Sequence, residues 1–373
     1  MCAEKTIMHQ DQSVINQQFA SLAKAERLLP IKVPAFFRKK VEAEVSALGH
    51  IGGPLHRSVY PTLEKLELHA PGEVNDFVED RSNMPDSLKN CAIRKYSNRL
   101  LFFPTNVCAG HCLYCFRQDV LSELHDSSGG GRALKNQTDS LLDYLESDPT
   151  ITEVILSGGD PLTLPLSHLQ ELLQRLVCKF PQLNLRIHSR VPIFNPSMIK
   201  QSHIDVMASS RVRLVIHTIH PYELCTEVEE KICEMKAKGV RLYAQFPILR
   251  GINDHVKVLA RHLELLDIHG IRTLSMFIPD PIRYSATFRL RLSRLFSILD
   301  ELNWHTSAWI NSTRVVLDTP FGKVRREDIS KVDEATDIVH FQRNGKDIAY
   351  PDFPEKLDLP GKIETLLWKD KLF

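Results

Sequence analysis

Residues 99–119 read RLLFFPTNVCAGHCLYCFRQD. The apolar run Leu100-Leu101-Phe102-Phe103 has no helical period and ends in Thr105 and Asn106, the pattern of a buried strand running out into a polar loop. Cys108, Cys112 and Cys115 follow at once, so three thiols sit on the loop leaving that strand. A structural zinc site wants four ligands, commonly as paired C-x2-C, and a ferredoxin-type cluster also uses four cysteines. Here the spacing is C-x3-C-x2-C with no nearby fourth. Three thiolates on one short loop suit a four-iron cluster that leaves one iron open. The spacing alone shares that reading with a zinc-binding or simply reduced cysteine cluster.

Outward from this loop, composition narrows the field. The 373 residues are 43% hydrophobic and 25% charged, as in a globular protein. A formal net charge of +1 supplies no basic field for nucleic acid. No apolar run reaches the length of a membrane span, and the first ten residues, MCAEKTIMHQ, have no apolar core of a secretory signal. Cys2, Cys91, Cys178, Cys225 and Cys233 are scattered without pairing, with Cys178 and Cys233 falling among the apolar positions of expected helices. Thiols used this way point to a reducing, cytoplasmic setting.

From Arg99 to Asn311 apolar strands alternate with amphipathic helices. The expected strands are Leu100–Thr105, Glu153–Ser157, Asn184–His188, Arg213–His217, Leu242–Pro247 and Thr273–Ile278. Helical stripes run through Leu166, Leu169, Leu173 and Leu176, and through Val228, Ile232 and Met235, closed by Gly239. Asp254 is the expected cap of a helix ending at Gly270, and Ser285 to Leu302 the last long helix. Such alternation implies parallel strands with crossover helices, an α/β fold of partial (β/α)6 TIM-type barrel form. Its polar motifs fall at the C-terminal ends of strands, where barrels place their chemistry. Residues 1–95 read as a helical and wrapping segment, with helices over Asp11–Leu29 and from Pro34 to Leu48, residues 96–311 as the barrel, and residues 312–373 as a C-terminal segment. That last segment opens on a short strand, Val315-Val316-Leu317, and continues as a polar tail. Gly129-Gly130-Gly131 reads as a flexible connection.

The cysteine loop, with Tyr114 before its third cysteine, resembles the signature of the radical S-adenosylmethionine enzymes. The resemblance implies a [4Fe-4S] cluster on Cys108, Cys112 and Cys115 whose open iron binds the methionyl group of S-adenosyl-L-methionine. Ser157-Gly158-Gly159-Asp160, at the end of the second strand, resembles the GGE motif that binds the amino group of that cofactor. Glycines there also let backbone approach a ligand closely.

A closer resemblance, from about Gly53 to Lys323, is to the lysine 2,3-aminomutase family. It is carried by GPLHRSVYPT (53–62), Glu79-Asp80-Arg81, Arg94-Lys95-Tyr96, Asn98-Arg99, HPYEL (220–224) and LRGIND (249–254). The resemblance gives Arg117 the substrate carboxylate, a job suited to a guanidinium fork. It puts His217 and Gln245 at the S-adenosylmethionine site, and Asp280 and Asp318 on the substrate's ε-ammonium. It makes Lys323 the residue that carries pyridoxal 5′-phosphate. The run Asp318-Thr-Pro-Phe-Gly-Lys323 is two residues shorter than the family's four-glycine version, and the family's C-terminal zinc cysteines are absent, so no zinc is expected.

These assignments imply an isomerase. Moving the α-amino group of L-lysine to C3 needs a radical initiator and a π-bond to accept the radical, which an ammonium lacks. They imply an amino-acid substrate and an electron donor of flavodoxin or ferredoxin type, without nucleic acid or membrane partners. A homo-oligomer is compatible with them. Three other readings stay open: an enzyme isomerising a lysine of elongation factor P, a relative that lacks the second aspartate; a 2,3-aminomutase for another amino acid such as arginine; and a non-enzymatic iron–sulfur binding or regulatory module that has lost catalysis.

Overall fold

The computed structural model describes residues 12–125 and 131–370. Asp11, Cys2 and the Gly129-Gly130 pair therefore lie outside the described residues. The N-terminal segment forms α1 (Gln12–Glu26), α2 (Ala35–Leu48), α3 (Pro54–Val59) and α4 (Leu63–Glu67). Gly49 ends α2 at φ +74°, donating its N–H to Val45 O, the left-handed cap for which glycine carries no Cβ penalty.

Eight strands make the main sheet, in sequential order: β1 (Ala92–Tyr96), β2 (Arg99–Thr105), β3 (Glu153–Gly158), β4 (Asn184–Ser189), β5 (Arg213–His217), β6 (Arg241–Pro247), β7 (Arg272–Phe277) and β8 (Arg314–Val316). From β2 to β8 every pairing is parallel. The six expected strands are β2 to β7 within a residue or so at each end, and the short strand after them is β8. β1 runs antiparallel to β2 and lies in the stretch read as helical and wrapping. The sheet does not close, since β1 and β8 do not pair. The crossovers are α5 (Gln118–His125), α6 (Gly131–Ser147), α7 (Leu166–Lys179), α8 (Val191–Phe194), α9 (Gln201–Ser209), α10 (Thr226–Ala237), α11 (Val256–Ile268) and α12 (Leu292–His305). Their apolar stripes bury Leu169, Leu173 and Leu176, and Val228, Ile232 and Met235, against the sheet.

Three local expectations need correction. The cap of α11 is His255, whose Nδ1 accepts from Lys257 N at 3.1 Å, whereas Asp254 accepts from Gly251 N at 2.8 Å and pairs with Arg294 at 2.9 Å. α12 begins at Leu292, seven residues after Ser285, because Tyr284 takes φ +63°, a single 3-10 turn follows at Ala286–Phe288, and the chain is extended at Arg289 and Arg291. Its first N–H groups are met from far along the chain, Arg291 N by Asp358 and Leu292 N by Asp352, both at 2.9 Å. Third, the polar tail holds an antiparallel sheet of β9 (Ile329–Asp333), β10 (Ile338–Arg343) and β11 (Lys346–Pro351). Val339, Phe341, Ile348 and Tyr350 alternate inward from it. Asn344 and Gly345 both have positive φ, as a two-residue hairpin turn requires.

The N- and C-terminal segments meet at Glu44, which is fully buried and accepts from Leu55 N, His56 N and Trp368 Nε1. Burial pushes its carboxyl up from 4.5 to about 7, against the pull of those donors. A carboxyl raised on folding contributes stability that is complete below its unfolded value and lost as pH rises through its folded value. The stability difference between wild type and Glu44→Gln is therefore expected to shrink by up to about 3 kcal/mol between pH 4.5 and about 7. Urea titrations at a series of pH values check this. A difference that stays flat or grows refutes it.

Candidate active site

The C-terminal ends of the barrel strands surround a cavity of about 320 Å³. Every residue singled out from the sequence lines it: Cys108, Cys112 and Cys115; Tyr114 and Arg117; Ser157, Gly158, Gly159 and Asp160; His217 and Gln245; Asp280, Asp318 and Lys323. No single motif dictates that convergence. It follows from parallel strands sending their C-terminal ends to one face.

At one end lies the cysteine loop, held by the segments that precede the barrel. His111 N donates to Lys32 O at 2.8 Å and Leu113 N to Ser58 O at 3.0 Å, while Lys32 Nζ reaches Cys108 O at 2.6 Å. Lys65 is buried beneath the loop, donating from Nζ to Leu113 O at 2.9 Å and to Tyr284 O. Burial lowers its amine to about 7.

The two glycines at the end of β3, Gly158 and Gly159, have a different reason from the one read in the sequence. Gly158 sits at φ +98°, and a Cβ there would stand 2.8 Å from Thr105 O and Phe103 Cδ1. At Gly159 a Cβ would stand 2.4 Å from Val107 O. Gly159 N donates to Thr105 O at 2.9 Å and Asp160 N to Val107 O at 2.7 Å. The glycines thus let β3 press against the chain's own cysteine loop. Asp160 lines the cavity with its oxygens occupied by backbone: Oδ1 accepts from Leu162 N at 3.1 Å, and Oδ2 from Arg190 N at 2.7 Å and Val191 N at 3.1 Å.

Tyr114 Oη and His217 Nε2 are 3.0 Å apart with their rings stacked at 5.7 Å. Burial, with Arg190 nearby, pushes His217 well below its usual value, so the ring is neutral. Gln245 Nε2 meets His188 Nδ1 at 3.1 Å. His188 is likewise driven well down by burial and by the cations around it.

Two residues past Cys115, Arg117 is fixed through Nε to Asp80 Oδ2 at 2.8 Å, and Lys95 Nζ reaches Asp80 Oδ1 at 3.0 Å. The guanidinium lies over Phe116 at 4.4 Å. Asp318 Oδ1 is buried without a hydrogen-bond partner. Burial, reinforced by Asp318, drives the Asp280 carboxyl well above the usual range. Two buried carboxylates acting on each other favour a cation between them.

Lys323 also reaches the cavity, despite the shortened loop. Leu317 and Val324 pair antiparallel, Gly322 N donates back to Thr319 O at 3.2 Å, and the Thr319 hydroxyl bonds Gly322 O. Gly322 takes φ +102° against the Tyr96 ring. Lys323 N donates to Tyr96 Oη at 3.2 Å, and its Nζ lies 4.6 Å from the centre of the Phe277 ring. Burial lowers the amine below its usual value, opposed by Asp318 and helped by Arg186, Arg99 and Lys95. Those three cations beside an amine that is easily neutralised are what an aldehyde cofactor with an anionic phosphate requires.

Sequence reasoning did not single out Asp80, Lys95, Arg186, His188 or Arg190 as parts of the site. The available signal was position: Arg186 and His188 lie on β4, and Arg190 directly follows it.

Residues 98–203 match the model of a 4Fe-4S single cluster domain. The L-lysine 2,3-aminomutase of Haemophilus influenzae is 30% identical over 290 residues, which span 77% of this chain and 81% of that protein. The chain belongs to the lysine 2,3-aminomutase family. The protein of the same name from Escherichia coli is 29% identical over 74% of this chain and 77% of its own length. That from Clostridium subterminale is 29% identical over 72% of this chain and 62% of its own. Membership makes the chain an isomerase of the radical S-adenosylmethionine type, with a [4Fe-4S] domain and use of S-adenosylmethionine. A radical SAM methyltransferase from Sphaerobacter thermophilus, 14% identical over 48% of this chain and 56% of that one at a TM-score of 0.34, is too slight a likeness to bear on the fold.

Proposed function

We propose that this chain is a pyridoxal phosphate-dependent aminomutase that moves the α-amino group of L-lysine to C3, giving β-lysine. The observation that carries the substrate is the Asp280–Asp318 pair. Asp318 offers a buried oxygen without a hydrogen-bond partner, and the Asp280 carboxyl beside it is raised even with Lys95 and Arg117 in reach, so the pair favours a further cation. The terminal ammonium of lysine is that cation. Arg117, anchored by Nε, has the fork of Nη1 and Nη2 left to face the substrate carboxylate. The cavity thereby offers both charges a dibasic amino acid needs, a guanidinium for its carboxylate and two carboxylates for its terminal ammonium. Cys108, Cys112 and Cys115 hold the cluster, with Tyr114, Ser157, Gly158, Gly159, Asp160, His217 and Gln245 around S-adenosylmethionine. Lys323 holds pyridoxal phosphate, with Arg99, Arg186 and Lys95 toward its phosphate. S-adenosylmethionine at the cluster supplies hydrogen-atom abstraction, and pyridoxal phosphate the π-system that lets nitrogen migrate.

Anaerobic incubation with lysine, S-adenosylmethionine, pyridoxal phosphate and dithionite is expected to yield β-lysine. Asp318→Asn is expected to lower kcat/KM for lysine by about a hundredfold or more, the cost of leaving a buried charge without its partner. Formation of 5′-deoxyadenosine with arginine but not with lysine moves the substrate to a guanidinium. Formation with neither leaves the substrate assignment without support.

A further inference from the structure

Among the described side chains around the cysteine loop, Arg190 touches a ligand sulfur itself. Its Nη1 lies 3.3 Å from Cys112 Sγ, and its Nη2 lies 2.6 Å from Glu223 Oε1. The guanidinium is 6% exposed and Glu223 is wholly buried. Glu223 is itself fixed: its Oε2 accepts from the Thr218 hydroxyl and from Ile219 N, both at 2.8 Å. The arginine's backbone N–H is tied to Asp160 at 2.7 Å, and its fork lies over Phe194 at 4.5 Å. A charged side chain ordered at this many points does not swing away on cluster binding.

We propose that Arg190 is a positioning residue that sets the reduction potential of the cluster through its hydrogen bond to Cys112, with Glu223 tuning it from the far side. The reductive step adds one electron from a low-potential one-electron donor to the cluster. The three thiolates stay bound, no proton moves and the donor is oxidised by one electron. Negative charge on the sulfurs rises in that step, so a cationic N–H···S bond stabilises the reduced state more than the oxidised one. Hydrogen bonds to ligand sulfur and net local charge are the protein's levers on such potentials. Glu223 opposes by drawing the guanidinium's charge toward itself. The pair therefore holds the potential between what a free cation and a neutral site would each give. The inference rests on the family's cluster and not on the lysine assignment.

The test is a redox titration of the reconstituted protein without substrate or S-adenosylmethionine, followed by the EPR signal of the reduced cluster. Removing Arg190 alone would strand a buried carboxylate, so the informative variants are Arg190→Met combined with Glu223→Gln, and Glu223→Gln by itself. In the double variant the reduced-to-oxidised ratio at fixed poise is expected to fall about tenfold, about 59 mV for one electron. In Glu223→Gln the ratio is expected to rise. Arg190→Lys should lie between wild type and the double variant. Iron content and melting temperature identify any variant that has failed to fold, and a structural role alone predicts no opposite shifts. Potentials that match wild type in both variants overturn the proposal. So does a weakened affinity for S-adenosylmethionine at unchanged potential, which would make Arg190 an anchor for that ligand instead.

Discussion

Replacing any one of Cys108, Cys112 and Cys115 by alanine is expected to abolish the brown iron–sulfur chromophore and to reduce 5′-deoxyadenosine formation to background. Each residue supplies one thiolate, and among the described residues no other cysteine lines the cavity. Cys91 packs in the hydrophobic core, and burial pushes its thiol up to about 11, so it is not available as a thiolate ligand. Cys178 and Cys233 are exposed on α7 and α10, not buried in the apolar stripes as their sequence positions suggested. Alanine at either is expected to leave the spectrum unchanged. Iron and sulfide analysis after anaerobic reconstitution, with absorbance near the thiolate-to-iron bands, decides the matter. A full four-iron spectrum from Cys112→Ala would sink the assignment. So would loss of the cluster in Cys178→Ala with its fold intact.

The strands from β2 to β7 were legible because each is a short apolar run between helices with ordinary stop signals, and parallel topology follows from the alternation. What the pattern hid was structure whose partner lies elsewhere in the chain. β1, Ala92–Tyr96, is half-polar along its length and becomes a strand by pairing with β2. The hairpin of β10 and β11 announced itself only in Asn344-Gly345 and a modest alternation beside it. α12 starts late because Asp352 and Asp358 cap it from sixty or more residues away, which no local reading can supply. At the site, residue types were readable and their partners were not. Gly158 and Gly159 were recognisable as a close-approach motif, but the surface approached is the cysteine loop. Asp160 was readable as the carboxylate of a motif that takes an amino group, but its oxygens are held by backbone N–H groups. Arg190 carries no motif of its own, and its meaning comes from the two side chains it touches, Cys112 and Glu223.

The other large expected effect is at Lys323. Borohydride reduction of the protein loaded with pyridoxal phosphate, followed by peptide mapping, is expected to place a pyridoxyl group on Lys323 alone. Lys323→Ala is expected to lose both the label and aminomutase turnover, while radical initiation at the cluster persists. Two missing residues of extended chain amount to about 7 Å of lost reach. The turn from Thr319 to Gly322 answers it. The family pattern uses flexible glycines there, whereas this chain uses a closed turn held by the Thr319 hydroxyl, and it needs left-handed φ only at Gly322. Pairing of Leu317 with Val324 then fixes where Lys323 leaves the loop, and the Tyr96 hydroxyl holds its backbone N–H. The lysine stem reaches over Phe277 into a space where burial disfavours its charged form, the condition for an amine to attack an aldehyde. Lys331 and Lys346 have exposed side chains on β9 and β11, so labelling there would report adventitious modification. Gly322→Val provides the sharpest control. A β-branched residue at φ +102° strains the turn, and cofactor uptake should fall with Lys323 itself intact. Full labelling of that variant would show that the turn does not position the lysine.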